Sequence, residues 1–281
     1  MTPDPIDAET TRTAPASQAS VHPSIASGAV VHPDARLADG VVVEHGVVIE
    51  ADVEVGAGTR LLVGSVLHAG ARVGQNCRVG PYAVVGGTPM DTRFRGEPST
   101  AVLEDDVVVR EFATVHRATG EGEETRVGSG TLVMCYAHVS HNTRVGAGCV
   151  LTTAVQLGGH AQVGDHAVLG SAALVHQFGR VGAYAMLGAA SAANTDVLPF
   201  SMARGDPVRH FRLNTVGLKR NGFDAERYRA LERALRLLRR RDLDTLETMA
   251  RDNEDARTLL TFVRTSQRGV ARFVTSGRDG A

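Results

Sequence analysis

The sequence predicts a mainly β chain: a solenoid of short parallel strands, closed at its C-terminal end by α-helices. Three observations predict it. An aliphatic residue recurs every six positions from Ile25 to Leu187. The 281 residues include 31 Gly and 37 Val but no Trp, a β-branched, aromatic-poor supply that favours strands. Near residue 200 the pattern stops: 32 valines lie in the first 200 residues and 5 in the last 81.

The six-residue frame has 28 positions, and 25 are aliphatic; the exceptions are Asp91, Glu97 and Glu121. A second position repeats with it, four residues on, at Val41, Val47, Val53, Thr59, Ser65 and Ala71. Each of these lies two residues before the next aliphatic, so both face the same side of one short strand. A helix would repeat at 3.6 residues, which a period of six does not match. Three hexads make a triangular coil of 18 residues, and coils stack as parallel strands roughly 4.8 Å apart. Gly56, Gly74, Gly80 and Gly86 follow the aliphatic, where a corner is expected. The pattern resembles the hexapeptide-repeat, left-handed parallel β-helix family. The left hand is implied by that resemblance, against the usual right-handed crossover.

Residues 1–20 are polar and rich in Pro, Thr and Ser, and read as a disordered leader. The β-helix is expected over 21–203 and a C-terminal α-helical domain over 204–281. Two polar stretches, 87–101 and 117–126, interrupt the hexads while keeping the frame. They either replace whole hexads or loop out of a corner, and loops on a rigid scaffold are where binding concentrates. In the tail, Asp224 is a candidate N-cap for a helix with Tyr228, Leu231, Leu235 and Leu238 on one stripe. Leu246 and Met249, then Ala256, Leu259, Leu260 and Val263, predict two more helices, with Gly269 as a stop.

Charge and composition exclude several classes. A net charge of −1 excludes a globally basic nucleic-acid binder. No run of 18 apolar residues exists, so no membrane span is expected. No apolar segment suggests a signal peptide, and a cytoplasmic location follows as an expectation. Cys77, Cys135 and Cys149 are read as reduced, buried small hydrophobes. Between Arg204 and Arg241, twelve basic residues face four acidic ones. That excess suits an acidic macromolecule or a phosphate-bearing ligand.

The histidines carry the chemistry. Adding 18 to His141 gives Gly159, the same corner one coil later, with His160 beside it. An imidazole next to a glycine N–H is a base beside an oxyanion donor, the minimum for acyl transfer. Hexapeptide-repeat carbonic anhydrases hold zinc with two histidines five residues apart. No histidine pair here has that spacing, so no metal is expected. Cys135 has no basic sequence neighbour and no serine elbow is present. Direct attack by a bound hydroxyl, deprotonated by His141, is therefore the expected route.

The stretch Met134–Asn142 (MCYAHVSHN), Val175-His176-Gln177-Phe178, Gly96-Glu97-Pro98, and Gly217-Leu218-Lys219-Arg220 with Gly222-Phe223 are similar to four blocks of one family. That family is the UDP-N-acetylglucosamine 3-O-acyltransferases of lipid A biosynthesis, and the likeness runs from about residue 20 to 272. It implies His141 as general base and the Gly159 N–H as oxyanion donor. It implies His138, His160, His176 and Gln177 around the sugar and acyl chain. Asp91 and Arg93 would lie at the phosphopantetheine arm or hydroxyacyl group, and Asn214 and Arg220 at the nucleotide phosphate and sugar. The donor would be a 3-hydroxyacyl thioester of acyl carrier protein, with no further cofactor, and the assembly a homotrimer. Three positions depart from the family: Asn142 where Asp is usual, Arg93 where Lys is usual, and Ala189 where long-chain enzymes have Gly. The extra methyl of Ala189 implies shorter acyl chains. A relative acting on a 3-amino sugar nucleotide, and a non-catalytic solenoid, are the alternatives.

Overall fold

The computed structural model describes residues 22–274, so the expected leader at 1–20 lies outside the described residues. From Ser24–Ile25 onward, two-residue strands alternate with tight turns. They form three sheets of 11, 9 and 8 strands among the described residues, here called I, II and III, parallel throughout except for the last strand of sheet I. Register follows the 18-residue coil: Val48 pairs with Val66, and Val66 with Val84. Where the insertions lengthen a coil the offset grows, and Thr114 pairs with His138. Three sheets wound this way make a parallel β-helix.

Alternation inside the hexad explains the interior. Leu61, Leu67, Val79, Val85, Leu151 and Leu169 are all 0% exposed, and Thr59, Ser65, Cys77 and Ala83 share the inside with them at no more than 1%. Each large aliphatic so buried contributes roughly 1.5–3 kcal/mol. The intervening residues point outward. On sheet III most of these are charged and paired, as where Arg126 bridges Glu104 at 2.7 Å and Glu124 at 2.8 Å.

The expected role of several glycines is corrected. Corners are turned at residues with φ near +60°, such as Gly46, Gly64, Tyr82, Asn142 and His160. Of the glycines assigned to corners, only Gly86 has positive φ. Gly56 and Gly74 follow a strand at points where coils touch. A Cβ on Gly56 would lie 2.5 Å from the Gly74 carbonyl carbon. Coil stacking demands those glycines.

The interruptions are also shorter than 87–101 and 117–126. The preceding strand runs Val84–Gly87 and the next Thr100–Leu103; likewise Thr114–His116 precedes and Glu124–Val127 follows the second. Backbone pairing between sheet III strands recruits the loop ends: Thr100 pairs with Glu124 and Ala101 with Thr125. Both loops, 88–99 and 117–123, leave the corner between sheets II and III.

Sheet I continues past residue 203. Ser201–Arg204 adds in parallel, and Arg209–Leu213 folds back on it antiparallel. Four helices follow: α1 (Thr215–Arg220), α2 (Ala225–Arg240), α3 (Leu243–Asp252) and α4 (Glu254–Arg264). Asp224 caps α2, accepting from Glu226 N and Arg227 N. The stop assigned to Gly269 is wrong: α4 ends at Arg264, capped by Thr265, whose N–H bonds the Thr261 and Val263 carbonyls. A second core joins Leu198, Leu218, Leu231, Leu246 and Leu259. Asp196 fastens it to the β-helix, accepting from Arg180 Nε at 2.9 Å and Ser266 Oγ at 2.7 Å. No described helix is long and apolar enough to cross a membrane.

Candidate active site

Residues 141, 159 and 177 are stacked at one turn position in successive coils on the II–III corner, so His141, Gly159 and Gln177 form a column. His141 is 8% exposed and Gly159 is buried. The imidazole lies over the glycine: a Cβ on Gly159 would sit 2.5 Å from His141 Nε2. Only glycine fits there. The Gly159 N–H has no acceptor among the described residues, so it is free to donate.

Asn142 sets the tautomer of His141. Its Nδ2 donates to the Thr119 carbonyl at 3.0 Å, and its Oδ1 accepts from Thr119 N at 2.9 Å. That pair of bonds fixes the amide orientation. The same Oδ1 lies 2.9 Å from His141 Nδ1, so Nδ1 carries the proton. The lone pair is left on Nε2, facing Gly159.

The two loops meet above this column. Glu97 joins them, accepting from Gly120 N at 2.8 Å and from Arg95 N at 2.7 Å; these backbone donors hold its carboxyl below the usual range. Arg117 stacks over the Phe94 ring at 5.1 Å. Asp91 is brought close, with Oδ2 at 3.9 Å from His141 Nδ1. Its carboxyl is held well below the usual range, chiefly by hydrogen bonds from Arg93. Arg93 Nη2 reaches it at 3.0 Å from the solvent side.

Other histidines gather round. His160 meets His141 edge-on at 5.3 Å and stacks on Phe178 at 4.6 Å. His138, on the strand His138–Val139, accepts or donates at Nδ1 with Thr114 Oγ1 at 2.7 Å. Burial pushes its imidazole down to about 4, and burial likewise lowers His116 and His160. His116 meets His138 edge-on at 4.9 Å, and sequence reasoning missed it. Its signal was faint, an outward position one coil below His138 inside an interrupted repeat. The buried His116 Nδ1, His138 Nε2 and His160 Nε2 have no hydrogen-bond partner among the described residues. Three buried, unpaired ring nitrogens in one cluster are unusual, since buried polar atoms are normally hydrogen-bonded. No group of three or more His, Cys, Asp or Glu residues among the described residues is arranged to hold a metal ion.

His176 and Gln177 are exposed one coil above Gly159, and His176 Nδ1 lies 3.0 Å from the Gln177 carbonyl. Asn214 and Arg220 are not brought to this column within one chain. Asn214 caps α1, accepting from Gly217 N and donating to the Tyr184 carbonyl on the III–I corner. Arg220 is exposed at the end of α1. Ala189 is exposed on the I–II corner. Cys135 also departs from expectation: it is half-buried, and its Sγ donates to Glu111 Oε2 at 2.9 Å, which raises the thiol pKa. Glu111 comes from the coil below, so the neighbourhood was not visible in sequence.

Residues 196–271 match the family model described as Udp N-acetylglucosamine O-acyltransferase, domain 2. The chain is 44% identical over 261 residues to the acyl-[acyl-carrier-protein]–UDP-N-acetylglucosamine O-acyltransferase of Myxococcus xanthus, covering 90% of this chain and 100% of that one. The enzyme of the same name from Alkalilimnicola ehrlichii is 43% identical over 198 residues, 68% of this chain and 77% of its own. Among solved structures, the UDP-N-acetylglucosamine acyltransferase of Francisella novicida superposes with TM-score 0.85 at 32% identity, covering 88% of this chain and 94% of that one. That of Moraxella catarrhalis gives 0.85 at 30% identity, covering 88% and 99%. With this resemblance spread over both the β-helix and the helical end, the chain belongs to the UDP-N-acetylglucosamine O-acyltransferase family.

Proposed function

We propose that this protein transfers a 3-hydroxyacyl chain from acyl carrier protein to the 3-hydroxyl of UDP-N-acetylglucosamine, the first step of lipid A biosynthesis, in the cytoplasm. The observation that carries this reading is His141 Nε2, the ring nitrogen left unprotonated, set against Gly159, whose N–H has no acceptor among the described residues. His141 Nε2 takes the proton of the sugar hydroxyl as its oxygen attacks the thioester carbonyl. The Gly159 N–H donates to the oxyanion that develops. The intermediate collapses by breaking the C–S bond, and the imidazolium returns its proton to the departing thiolate. No covalent acyl-enzyme and no cofactor beyond the carrier's phosphopantetheine is involved.

His138, His160, His176 and Gln177 line the sugar and acyl chain around this point. Arg93, whose side chain is 69% exposed, meets the phosphopantetheine arm at the loop entrance. Asn214 and Arg220 serve the nucleotide across an interface with another copy, in a homotrimer. The exposed stack Tyr82–Phe112–Tyr136, with ring centroids 5.5 and 5.1 Å apart, supports self-association, because such an aromatic column on the I–II corner is covered in a stable assembly. For the acidic carrier protein, α2 offers Arg229, Arg233 and Arg240, exposed and without ion pairs among the described residues.

The test is mass spectrometry of products from purified protein, UDP-N-acetylglucosamine and a panel of 3-hydroxyacyl carrier-protein thioesters. His141→Ala lowers kcat by about 10²–10⁴-fold with the fold retained by circular dichroism. Absence of O-acylated sugar nucleotide with every donor rejects the reading, and product only with a 3-amino acceptor redirects it to amide formation.

A further inference from the structure

If His141 is the base, as proposed above, the reaction passes through an imidazolium, and the adjacent Asn142 amide carries no charge to offset it. Among the described residues one carboxylate lies within 4.0 Å of that imidazole: Asp91, with Oδ2 at 3.9 Å from Nδ1. Its side chain is 8% exposed and is gripped from the solvent side, by Arg93 Nη2 at 3.0 Å and by the Arg93 backbone N–H at 2.9 Å. A carboxylate turned inward and already bound on its outer face is poorly placed to hold a phosphopantetheine arm. We propose that Asp91 is a positioning residue for His141: its loop carboxylate supplies the charge that position 142 lacks.

The Nδ1 proton belongs to Asn142 Oδ1, at 2.9 Å, so the two neighbours divide the task. Asn142 orients the ring through a hydrogen bond, and Asp91 acts through space on the charge. The other ionisable groups around His141 supply no negative charge. They are His138 on the preceding strand, His116 a coil below and His160 a coil above, each held below its usual range by burial first and then by the charge of neighbouring imidazoles, His141 among them, while Arg93 on the loop is paired with Asp91. Asp91 is thus the negative charge within 4.0 Å of the imidazole among the described residues.

The experiment is an NMR titration of ¹³Cε1-labelled histidines in the intact protein, with His141→Ala assigning the resonance. It needs no substrate, so it stands or falls apart from the acyl-transfer reading, which fails instead if wild-type protein makes no product. Asp91→Asn lowers the His141 midpoint by about one pH unit, Asn142→Asp raises it by a similar amount, and the double variant returns near wild type. Asp91→Ser, which keeps an acceptor for the Arg93 N–H, gives the same fall if Asp91→Asn does not fold. In turnover, the acidic limb of kcat/KM moves with the same signs. Asp91→Asn lowers kcat about tenfold with KM for either substrate within about twofold, and Asn142→Asp restores it in the double variant. An unmoved midpoint, or a raised KM for the acyl carrier protein without rescue, overturns the proposal and puts Asp91 on the substrate.

Discussion

His160 and His166 are six residues apart and hold the same left-handed turn conformation, φ 59° and 56°, on neighbouring corners. Their surroundings differ completely. His160, on the II–III corner, lies between His141 and Phe178, beneath two loops that leave the same corner. His166, on the III–I corner, stacks on Tyr184 at 5.1 Å. Tyr184 stacks on Phe200 at 5.7 Å and meets Phe223 edge-on at 5.1 Å, joining the helical core. The repeat builds equivalent platforms at every corner. What is laid over a platform makes one the candidate site and the other a structural joint.

The sharpest way to break that contrast is Gly159→Ala. Its Cβ, 2.5 Å from His141 Nε2, forces the imidazole away from residue 159. The expected cost is about 10²–10³-fold in kcat, read by thioester turnover, with Tm changed by only a few degrees. Retained turnover would remove Gly159 from the chemistry.

The helical end should answer to pH instead. His210 is 0% exposed, accepts from Leu198 N at 2.9 Å and donates to the Ala271 carbonyl at 2.9 Å. Burial holds it down at about 4, whereas in the unfolded chain it titrates near 6.5. The unfolded chain therefore takes up the proton first. The contribution is intact above about pH 6.5 and is lost as pH falls toward about 4, by up to roughly 3 kcal/mol. Urea midpoints between pH 7 and 4 check this, and His210→Gln should flatten that part of the curve.

Smaller effects sharpen the same contrast. His166→Ala should cost about 0.5–1.5 kcal/mol in stability through the lost stack, with kcat per folded molecule unchanged. A fall in kcat would draw the III–I corner into the site. Ala189→Gly should change least, shifting donor preference toward longer chains by about tenfold or less in competition between carrier-protein thioesters. No shift would match its position on the I–II corner, away from His141 in its own chain.

Much of the fold was legible because a strand's two faces are a matter of alternation, and an 18-residue coil turns addition into neighbourhood. Thus His141 and Gly159 could be paired by counting, and Asp224 recognised as a cap. The count failed where coils press on one another and where the chain left the repeat. Gly56 reads as a turn residue in one dimension, while its reason is the next coil 2.5 Å from where a Cβ would go. Asp91 and Thr119 lie on two insertions of unequal length, and nothing in their spacing says that both close on Asn142 and His141.

Residue order alone determined the coil, its buried aliphatics and the column of His141 over Gly159, since these follow from a period and the steric size of side chains. Only the tertiary structure decided that Asn142 presents its oxygen to Nδ1, that Asp91 faces the imidazole at 3.9 Å, and that Asn214 is spent on capping α1. Those outcomes depend on hydrogen bonds and charges between segments that meet only after folding, where orientation rather than residue type sets the chemistry.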